Sequence, residues 1–324
     1  MASRTGWWLL LAGALTASAG ADPARAFGAT SPDAARAWQQ ESRRQLAAAL
    51  AMDDLLAASP PLEAMETSRS RWPRYERLEI ELRSTPDRVV EPGRRIKAIV
   101  TEPLERPAGR MPAVVCIHGH GGNRGIVYDT ESQYRGFGHV LAGAGFVTIS
   151  TEVGQHQVYE PGRTLMGERL WDVRRCVDYL RSRPDVDPER IGCAGLSLGG
   201  EMALWLGATD ERVAATVSSG FLTTVANLRD GHCPCWDFPG LTESYDFSDI
   251  YSLIAPRALM CQNGQLEGHG GFPPAIAEPA WRKIQAAYAV FGALDKTLWD
   301  TPDVKHVFYV DPAVEFLQRH LRAN

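Results

Sequence analysis

The run Gly-Leu-Ser-Leu-Gly at residues 195–199 limits the folds open to this chain more than any other feature. It directly follows an apolar run at 190–194, typical of a buried strand, and precedes an apolar stretch at 201–208 that indicates a helix. A serine in so tight a turn between strand and helix has a strained backbone, and side chains two positions before and after it would clash. The spacing therefore predicts that Ser197 is a nucleophile presented at the end of a strand.

Apolar runs like the one before Ser197 recur along the chain from Met111 onward. Continuous runs indicate parallel strands covered on both faces, and their alternation with helix-length segments indicates a sheet wrapped by helices. The runs lie at 113–117, 146–149, 191–194, 213–217 and 257–261, with helix-length segments around Gly138, Trp171, Ala203 and Trp281. The sequence predicts an α/β fold with a mostly parallel central sheet flanked by helices.

A different pattern precedes these runs. Residues 31–58 open with Ser-Pro-Asp and carry apolar side chains at helical spacing, and Pro60 and Pro61 end the stretch. Apolar and charged residues then alternate at 78–82, which indicates a half-exposed antiparallel strand, and 95–101 is its expected partner. We expect an N-terminal helical extension over 27–75 and a catalytic domain over 76–324.

The first residues resemble an export signal. Arg4 supplies a positive charge, residues 7–17 form a short apolar core, and Ala-x-Ala cleavage sites follow at 19–21 and 24–26. The apolar run is shorter than the roughly 20 residues needed to cross a bilayer. We therefore expect residues 1–26 to be a cleaved signal peptide and the mature protein to be periplasmic or secreted, with no membrane contact.

The charge balance limits the class of partner. A formal net charge of −5 and a pI near 5.9 provide no attraction to nucleic acid or to an anionic membrane surface. The expected partner is a small molecule or a polymer fragment. The sequence carries no indication of the oligomeric state.

An ester hydrolase needs backbone donors for the oxyanion that forms during attack. The backbone N–H of Leu198 is expected to be one donor, since it follows the nucleophile at the start of a helix. The His-Gly-His-Gly-Gly run at 118–122, here named the oxyanion loop, ends the 113–117 strand, and the N–H of His120 is the expected second donor. Two histidines separated by glycine would make a poorly organised metal pair, so no metal is expected there.

A serine hydroxyl needs a histidine to take its proton and a carboxylate to orient that histidine, in the chain order serine, acid, histidine. Four histidines follow Ser197, at positions 232, 269, 306 and 320. His306 is preferred over His269, because it precedes the last helix, where the final loop returns to the active-site edge. Glu267 is the expected acid because it lies beyond the last clear parallel strand, with Asp237 and Glu243 as alternatives.

The six cysteines indicate neither a dense disulfide framework nor a paired metal motif. Three lie in predicted strands and one in a predicted helix, where they act as small apolar residues: Cys116, Cys193, Cys261 and Cys176. Cys233 and Cys235 lie in an irregular loop beside His232, where an oxidising compartment would permit a disulfide. A fourth ligand at ordinary spacing is missing, so neither a metal nor any other cofactor is expected.

Further motifs carry a resemblance to a known family. They comprise the oxyanion loop, Gly-Glu-Arg-Leu-Trp-Asp at 167–172, Val-Asp-Pro-Glu-Arg-Ile-Gly at 186–192, Pro-Gly-Leu at 239–241 and Leu-Ile-Ala-Pro-Arg at 253–257. With them, the chain from about Trp38 onward resembles the acetyl xylan esterase and dienelactone hydrolase-like branch of the α/β-hydrolase superfamily. The resemblance implies an α/β-hydrolase fold with the N-terminal helical segment packed beside it. It also places the acid role on Glu267, where relatives usually carry aspartate.

These observations together predict an exported serine hydrolase that cleaves a carboxylic ester, such as an acetylated carbohydrate, through an acyl-enzyme. A lactone hydrolase and a serine peptidase of the prolyl oligopeptidase type are the alternatives, although the roughly 80 residues before the sheet cannot build the propeller of such peptidases. A non-catalytic binding protein is disfavoured. Residues 221–245, here named the lid segment, carry Phe221, Trp236 and Phe238, which could stack on a substrate or only pack the lid.

Overall fold

The computed structural model describes residues 23–87, 92–106, 109–268 and 270–321. Within these residues, nine strands form a single sheet. The strands are β1 (Met65–Arg71), β2 (Tyr75–Arg83), β3 (Arg95–Pro103), β4 (Met111–Ile117), β5 (Val147–Thr151), β6 (Val186–Leu196), β7 (Ala215–Ser219), β8 (Ala258–Gln262) and β9 (Thr297–Asp300). The helices are α1 (Pro32–Ala49), α2 (Asp53–Ala58), α3 (Phe137–Gly143), α4 (Leu165–Ser182), α5 (Leu198–Thr209), α6 (Val225–Arg229), α7 (Leu241–Ser244), α8 (Phe247–Ser252), α9 (Pro274–Val290) and α10 (Val310–Leu321).

The sheet combines an antiparallel edge with a parallel centre. Its strand order is β1-β2-β3-β5-β4-β6-β7-β8-β9, with β1, β2, β3 and β5 paired antiparallel and β5, β4 and the remaining strands paired parallel. The apolar runs used for the prediction form β4 to β8, and β5, β7 and β8 are buried along their whole length. The predicted α/β architecture is confirmed, including the antiparallel pair, in which Leu82 faces Ile96.

Two strands were not anticipated, and both lie at the edges of the sheet. All seven residues of β1 are exposed, so no apolar alternation marked it as a strand. It precedes residue 75, so the sheet begins within the stretch expected to be the helical extension. β9 has only four residues, one exposed and three half-buried, and pairs with β8.

The N-terminal helix α1 packs beside the sheet, as the resemblance implied. Ser31 caps it by accepting the Ala34 N–H at 3.3 Å, and a proline occupies its first turn. On its buried face, the Gln39 side chain donates to the carbonyls of Ser252 and Ala255 at 3.0 and 2.7 Å. Leu46 belongs to the same apolar core as the sheet, so the extension and the sheet share one core.

The first described residues are hydrogen-bonded to α7, at the end of the lid segment, and to α8, which follows it. The N–H groups of Ala24 and Arg25 donate to the carbonyls of Glu243 and Ser244 at 3.1 and 3.0 Å. The Phe27 N–H donates to the Asp249 carboxylate at 2.8 Å. Residues 1–22, which hold the charged and apolar regions of the expected signal, lie outside the described residues.

Among the helices described, none combines the length and apolarity that a membrane crossing would need.

The loops after β4, β6, β7 and β8 emerge from the carboxyl ends of parallel strands and so meet at one edge of the sheet, where open α/β folds bind their ligands.

Candidate active site

Ser197 stands alone between the end of β6 and the start of α5. Its backbone has φ 63° and ψ −125°, a region that side-chain-bearing residues rarely occupy. The strain is held by two hydrogen bonds of 2.9 Å: the Ser197 N–H donates to the Ser219 carbonyl, and the Ser197 carbonyl accepts the Glu201 N–H. The predicted strand-turn-helix presentation of the serine is therefore present.

The two glycines of the pentapeptide have no room for a side chain. A β-carbon at Gly195 would lie 2.2 Å from the carbonyl oxygen of Gly199. One at Gly199 would lie 2.2 Å from the carbonyl oxygen of Ile117 in the neighbouring strand. Because both contacts are with backbone, which cannot rotate aside, the turn requires glycine at both positions.

The oxyanion loop lies against Ser197. A β-carbon at Gly119 would come within 3.0 Å of the Ser197 β-carbon, so the loop packs directly on the serine. Leu198 is the first residue of α5, and N–H groups in the first turn of a helix have no acceptor within the helix. The two expected donors, Leu198 and His120, both line the cavity that Ser197 also faces.

Two buried side chains that the sequence analysis did not single out hold this loop. The Tyr134 hydroxyl accepts the Gly119 N–H at 2.6 Å. The Val153 N–H donates to Nε2 of His118 at 3.1 Å, so Nδ1 carries the proton and donates to the Gly119 carbonyl at 2.9 Å. His118 therefore has a positioning role and connects the loops that follow β4 and β5.

His306 and Glu267 are in contact. Nδ1 of His306 lies 3.0 Å from Oε2 of Glu267, whose side chain is only 2% exposed. The carboxylate also accepts the N–H groups of Phe272 at 2.8 Å and of Gly264 at 3.3 Å. Burial disfavours its charge, but the hydrogen bond and charge attraction of His306, with these N–H groups, lower the pKa of Glu267 below its ordinary value.

A close approach of two loops makes this contact. The N–H of Leu266 donates to the Val304 carbonyl at 3.0 Å, which pairs the loop after β8 with the loop before α10. A β-carbon at Gly264 would lie 2.4 Å from the same carbonyl oxygen. The glycine that allows the approach is thus in the loop that carries Glu267.

Gly220 shapes the slot for the imidazole. It follows β7 with φ +59°, and a β-carbon there would lie 2.8 Å from Cε1 of His306. The Asn263 side chain fixes the other wall, since it donates to the carbonyls of Leu222 and Phe272 at 3.1 and 2.7 Å. Neither residue was identified from the sequence, because their role depends on contacts between distant segments.

A cavity of about 350 Å³ joins these groups. Ser197 and His306 both line it, and Glu267 contacts the imidazole. The remaining lining residues come from the oxyanion loop, α5, the lid segment and the glycine-rich turn before α9: His120, Leu198, Glu201, Phe221, Leu228, His232, Cys233, Cys235, Trp236, Gly270, Gly271 and Phe272.

Most of the alternative candidates for the acid and the histidine are among the described residues. Asp237 and Glu243 are exposed on the lid segment, and His320 stacks on Phe316 within α10. His232 lines the cavity, with its ring 5.1 Å from the ring of Phe272. His269 lies outside the described residues.

The aromatic residues of the lid segment divide between the two roles considered for them. Phe221 and Trp236 line the cavity, whereas Phe238 packs inward, 5.6 Å from the ring of Trp205.

Glu201, which also lines the cavity, is 2% exposed, and burial raises the pKa of its carboxyl to about 8. Glu201 is therefore mainly uncharged at neutral pH.

One group of side chains at this cavity could hold a metal ion. His120, His156, Cys233 and Cys235 bring one ligand atom each to within 4.8 Å of all the others. All six cysteines are free thiols. No metal was expected because a fourth ligand near the cysteines was missing from the sequence, but the fold brings both histidines from other loops.

Known proteins resemble this chain in part of the sequence and in the fold. Residues 96–223 match the dienelactone hydrolase family. Over these residues the chain is similar to the dienelactone hydrolase family, and its sheet with flanking helices has the α/β-hydrolase fold. The Bacillus subtilis protein named "Putative hydrolase YtaP" is 28% identical over 251 residues, which cover 67% of this chain and 81% of that protein.

Solved structures share the fold of this α/β-hydrolase at low identity. A "putative acetyl xylan esterase" from Bacteroides fragilis superposes with a TM-score of 0.69 at 18% identity, covering 91% of this chain and 81% of that one. A glucuronoyl esterase from Solibacter usitatus gives 0.62 at 16% identity, with 81% and 87% covered. The family match includes the oxyanion loop and Ser197 of this hydrolase but ends before Glu267 and His306.

Proposed function

We propose that this hydrolase is an exported enzyme that cleaves a carboxylic ester through an acyl-enzyme formed on Ser197. The observation that carries the proposal is the strained Ser197 facing a cavity that His306 also lines, with Glu267 held 3.0 Å from that histidine. The family match and the fold shared with esterases support the same class of chemistry.

The contact with Glu267 sets the state of the imidazole. A carboxylate only accepts hydrogen bonds, so Nδ1 of His306 carries a hydrogen and donates a hydrogen bond to Oε2 of Glu267. Nε2 is then left unprotonated and able to act as a base. In the proposed reaction it takes the hydroxyl proton of Ser197 as the oxygen attacks the ester carbonyl, and it later protonates the leaving alcohol.

The backbone supplies the second contribution. As the carbonyl oxygen gains negative charge, the N–H groups of Leu198 and His120 are proposed to donate to it, assisted by the positive end of α5. Water then attacks the acyl-enzyme with His306 as the base, which regenerates Ser197 and releases the acid. No cofactor enters this sequence.

The cavity walls favour a substrate with both polar and flat apolar parts. Phe221, Trp236 and Phe272 give an aromatic surface on which a sugar ring or an aryl group could stack. The names of the structural neighbours point to carbohydrate esters, and we propose an acetylated carbohydrate as the substrate class.

The peptidase alternative gains no support. Between residue 23 and β2 the described chain forms only α1, α2 and β1, and a propeller would need many strands. A lactone hydrolase stays possible in chemical terms, because the dienelactone hydrolase family match covers the same elbow and oxyanion loop. Lactones are therefore included in the substrate test.

The deciding experiment combines labelling with turnover. A fluorophosphonate probe is expected to label the wild-type protein at Ser197, and Ser197→Ala is expected to lose both the label and at least roughly 1,000-fold in ester hydrolysis. Ser68→Ala, an exposed serine on β1, serves as the matched control and keeps both. Acetylated xylan, a short aryl ester and a lactone are compared with the same preparations. Unchanged ester turnover by Ser197→Ala would refute the proposal.

A further inference from the structure

Four side chains from three separate loops meet at the rim of the cavity. His120 belongs to the oxyanion loop, His156 follows β5, and Cys233 and Cys235 lie in the lid segment. Their ligand atoms all lie within 4.8 Å of one another. Nε2 of His120 lies 3.0 Å from Sγ of Cys235. The cluster includes neither Ser197 nor the His306–Glu267 pair.

The spacing and the donor types fit zinc. Zinc binds thiolate at about 2.3 Å and imidazole at about 2.0 Å, so four ligands at the corners of a tetrahedron lie about 3.3 to 3.8 Å apart. Atoms already within 4.8 Å of one another can reach that geometry by small side-chain rotations. Two thiolates with two imidazoles are a common ligand set of structural zinc sites, and the two negative charges balance the ion.

The surroundings already hold one histidine in a ligand orientation. Nδ1 of His156 lies 3.0 Å from the Gly154 carbonyl, so this nitrogen donates and Nε2 is left as the ligand atom. Zinc-binding histidines typically donate their second ring N–H to a carbonyl or carboxylate in this way. The ring of His156 lies 5.2 Å from that of His120, which places the two imidazoles side by side.

A buried arginine connects the loops that carry the ligands. Arg169 of α4 has no exposed surface, and its guanidinium donates to the carbonyl of Cys235 at 3.2 Å and to the carbonyl of Gln155. Cys235 is itself a member of the cluster, and Gln155 directly precedes His156, another member. The backbone on both sides of the cluster is thus fixed before any ion binds.

We propose that His120, His156, Cys233 and Cys235 form a tetrahedral zinc site that fastens the lid segment to the oxyanion loop. Four protein ligands leave no open position on the ion, so the site is structural rather than catalytic. Its effect on the reaction is positional. The zinc holds His120, whose backbone N–H is the proposed oxyanion donor, and it holds Cys235 next to Trp236 in the cavity wall.

The proposal is tested first by metal content. The mature protein is purified under reducing conditions without chelator and incubated with excess zinc. Gel filtration then removes the unbound zinc, and elemental mass spectrometry measures the zinc bound to each chain. We expect one zinc per chain in the wild type. Cys233→Ser and His156→Ala are each expected to lose affinity by more than the roughly 10- to 100-fold typical of removing an outer-shell partner. His232→Ala, next to Cys233 but outside the cluster, should keep the metal.

Cobalt reports the geometry without relying on any variant. After chelator treatment and cobalt addition, the wild type is expected to show the intense visible bands of tetrahedral cobalt and a thiolate charge-transfer band. Circular dichroism and thermal unfolding show whether each variant is folded. Less than about one tenth of an equivalent of metal in the reduced wild type, a Cys233–Cys235 disulfide in that protein, or an octahedral cobalt spectrum would each overturn the proposal.

These measurements use no substrate. The zinc site and the proposed ester hydrolysis can therefore fail independently. If both hold, chelation should lower the unfolding temperature and raise KM or lower kcat for the ester, and zinc should restore both quantities.

Discussion

The imidazole of His306 and the carboxylate of Glu267 lie 3.0 Å apart although 39 positions separate them in the chain. The contact depends on Gly264, which lets the loop after β8 reach the carbonyl of Val304. The carboxylate in this contact belongs to a glutamate, whose side chain is one methylene longer than that of aspartate. Its second oxygen is held by the N–H of Gly264, so the longer side chain is fixed at both oxygens.

The first prediction concerns this contact. Glu267→Gln should lower kcat for ester hydrolysis by roughly 100- to 10,000-fold, because an amide can impose the wrong tautomer on His306 and cannot stabilise the imidazolium. The exposed Glu243→Gln is the control and should leave kcat unchanged. Steady-state kinetics with a short aryl ester provides the comparison. Equal rates for the two variants would show that Glu267 is not the acid.

The second prediction concerns the slot for the imidazole. Gly220→Ala should lower kcat at least about 10-fold, because its methyl group would lie 2.8 Å from Cε1 of His306 and displace the ring. Gly292→Ala is the matched control, since Gly292 also has positive φ, at +65°, but has no atom within 4 Å of the added carbon. Both variants should lose about 1 kcal/mol of stability for the backbone conformation. Only Gly220→Ala should lose activity. Steady-state kinetics measures kcat, and unfolding in urea measures the stability of both variants.

The third prediction concerns the support of the oxyanion loop. Tyr134→Phe removes the acceptor of the Gly119 N–H and should reduce kcat about 10-fold by loosening the loop beside Ser197. Tyr128→Phe removes another buried hydroxyl, which bonds Thr148 at 2.9 Å and does not contact the loop. Each should cost about 1 to 3 kcal/mol of unfolding free energy. A similar kcat for both variants would contradict the assigned role of Tyr134.

The fourth prediction follows from the buried carboxyl of Glu201. Its pKa is raised to about 8 from an ordinary value of 4.5, so between these pH values the folded protein holds one more proton than the unfolded chain. Raising the pH through this range therefore destabilises the fold, by about 1.4 kcal/mol per pH unit. Glu201→Gln has no such proton to hold.

Urea unfolding at about pH 5 and about pH 7 checks this dependence. Through this group, the wild type should lose up to about 3 kcal/mol of unfolding free energy between the two conditions. Glu201→Gln should lack that loss, whereas the exposed Glu243→Gln should follow the wild type. Parallel pH dependence in wild type and Glu201→Gln would mean that Glu201 is not held uncharged.

The fifth prediction chooses between the two expected cleavage sites. Ala24 and Arg25 are hydrogen-bonded to the carbonyls of Glu243 and Ser244, and Arg25 also accepts the Trp38 indole N–H at 3.0 Å. Cleavage after Ala26 would remove these contacts, whereas cleavage after Ala21 keeps them. We therefore expect the mature chain to begin at Asp22. Intact-mass measurement of the exported protein decides, and a chain beginning at Phe27 would contradict the prediction.

The sequence predicted those features whose structure is determined by residues close together in the chain. The elbow at Ser197 is specified by two glycines four positions apart in one turn, and the buried strands are specified by continuous apolar runs. The edge strands β1 and β9 were missed because exposed or half-exposed residues leave little apolar pattern. Gly220, Tyr134 and Asn263 were missed because each acts on a segment distant in the chain.

The cluster of His120, His156, Cys233 and Cys235 was also missed because its members are distant in the chain. Cys233 and Cys235 were interpreted beside their neighbour His232, and the set was incomplete. The histidines that complete the cluster, His120 and His156, are 77 or more positions away from the cysteines. Spacing rules for zinc ligands assume that at least two pairs are local, which is not the case here.

The exposed strand β1 has a consequence for how these molecules behave at high concentration. An outermost strand leaves one row of backbone groups unpaired, which another chain can use to extend the sheet. In β1 that row is flanked by charged side chains, and Arg69 is ion-paired with Glu66 of the same strand and with Glu76 of β2. A second molecule adding here would have to break these pairs, so β1 protects the protein against edge-to-edge aggregation.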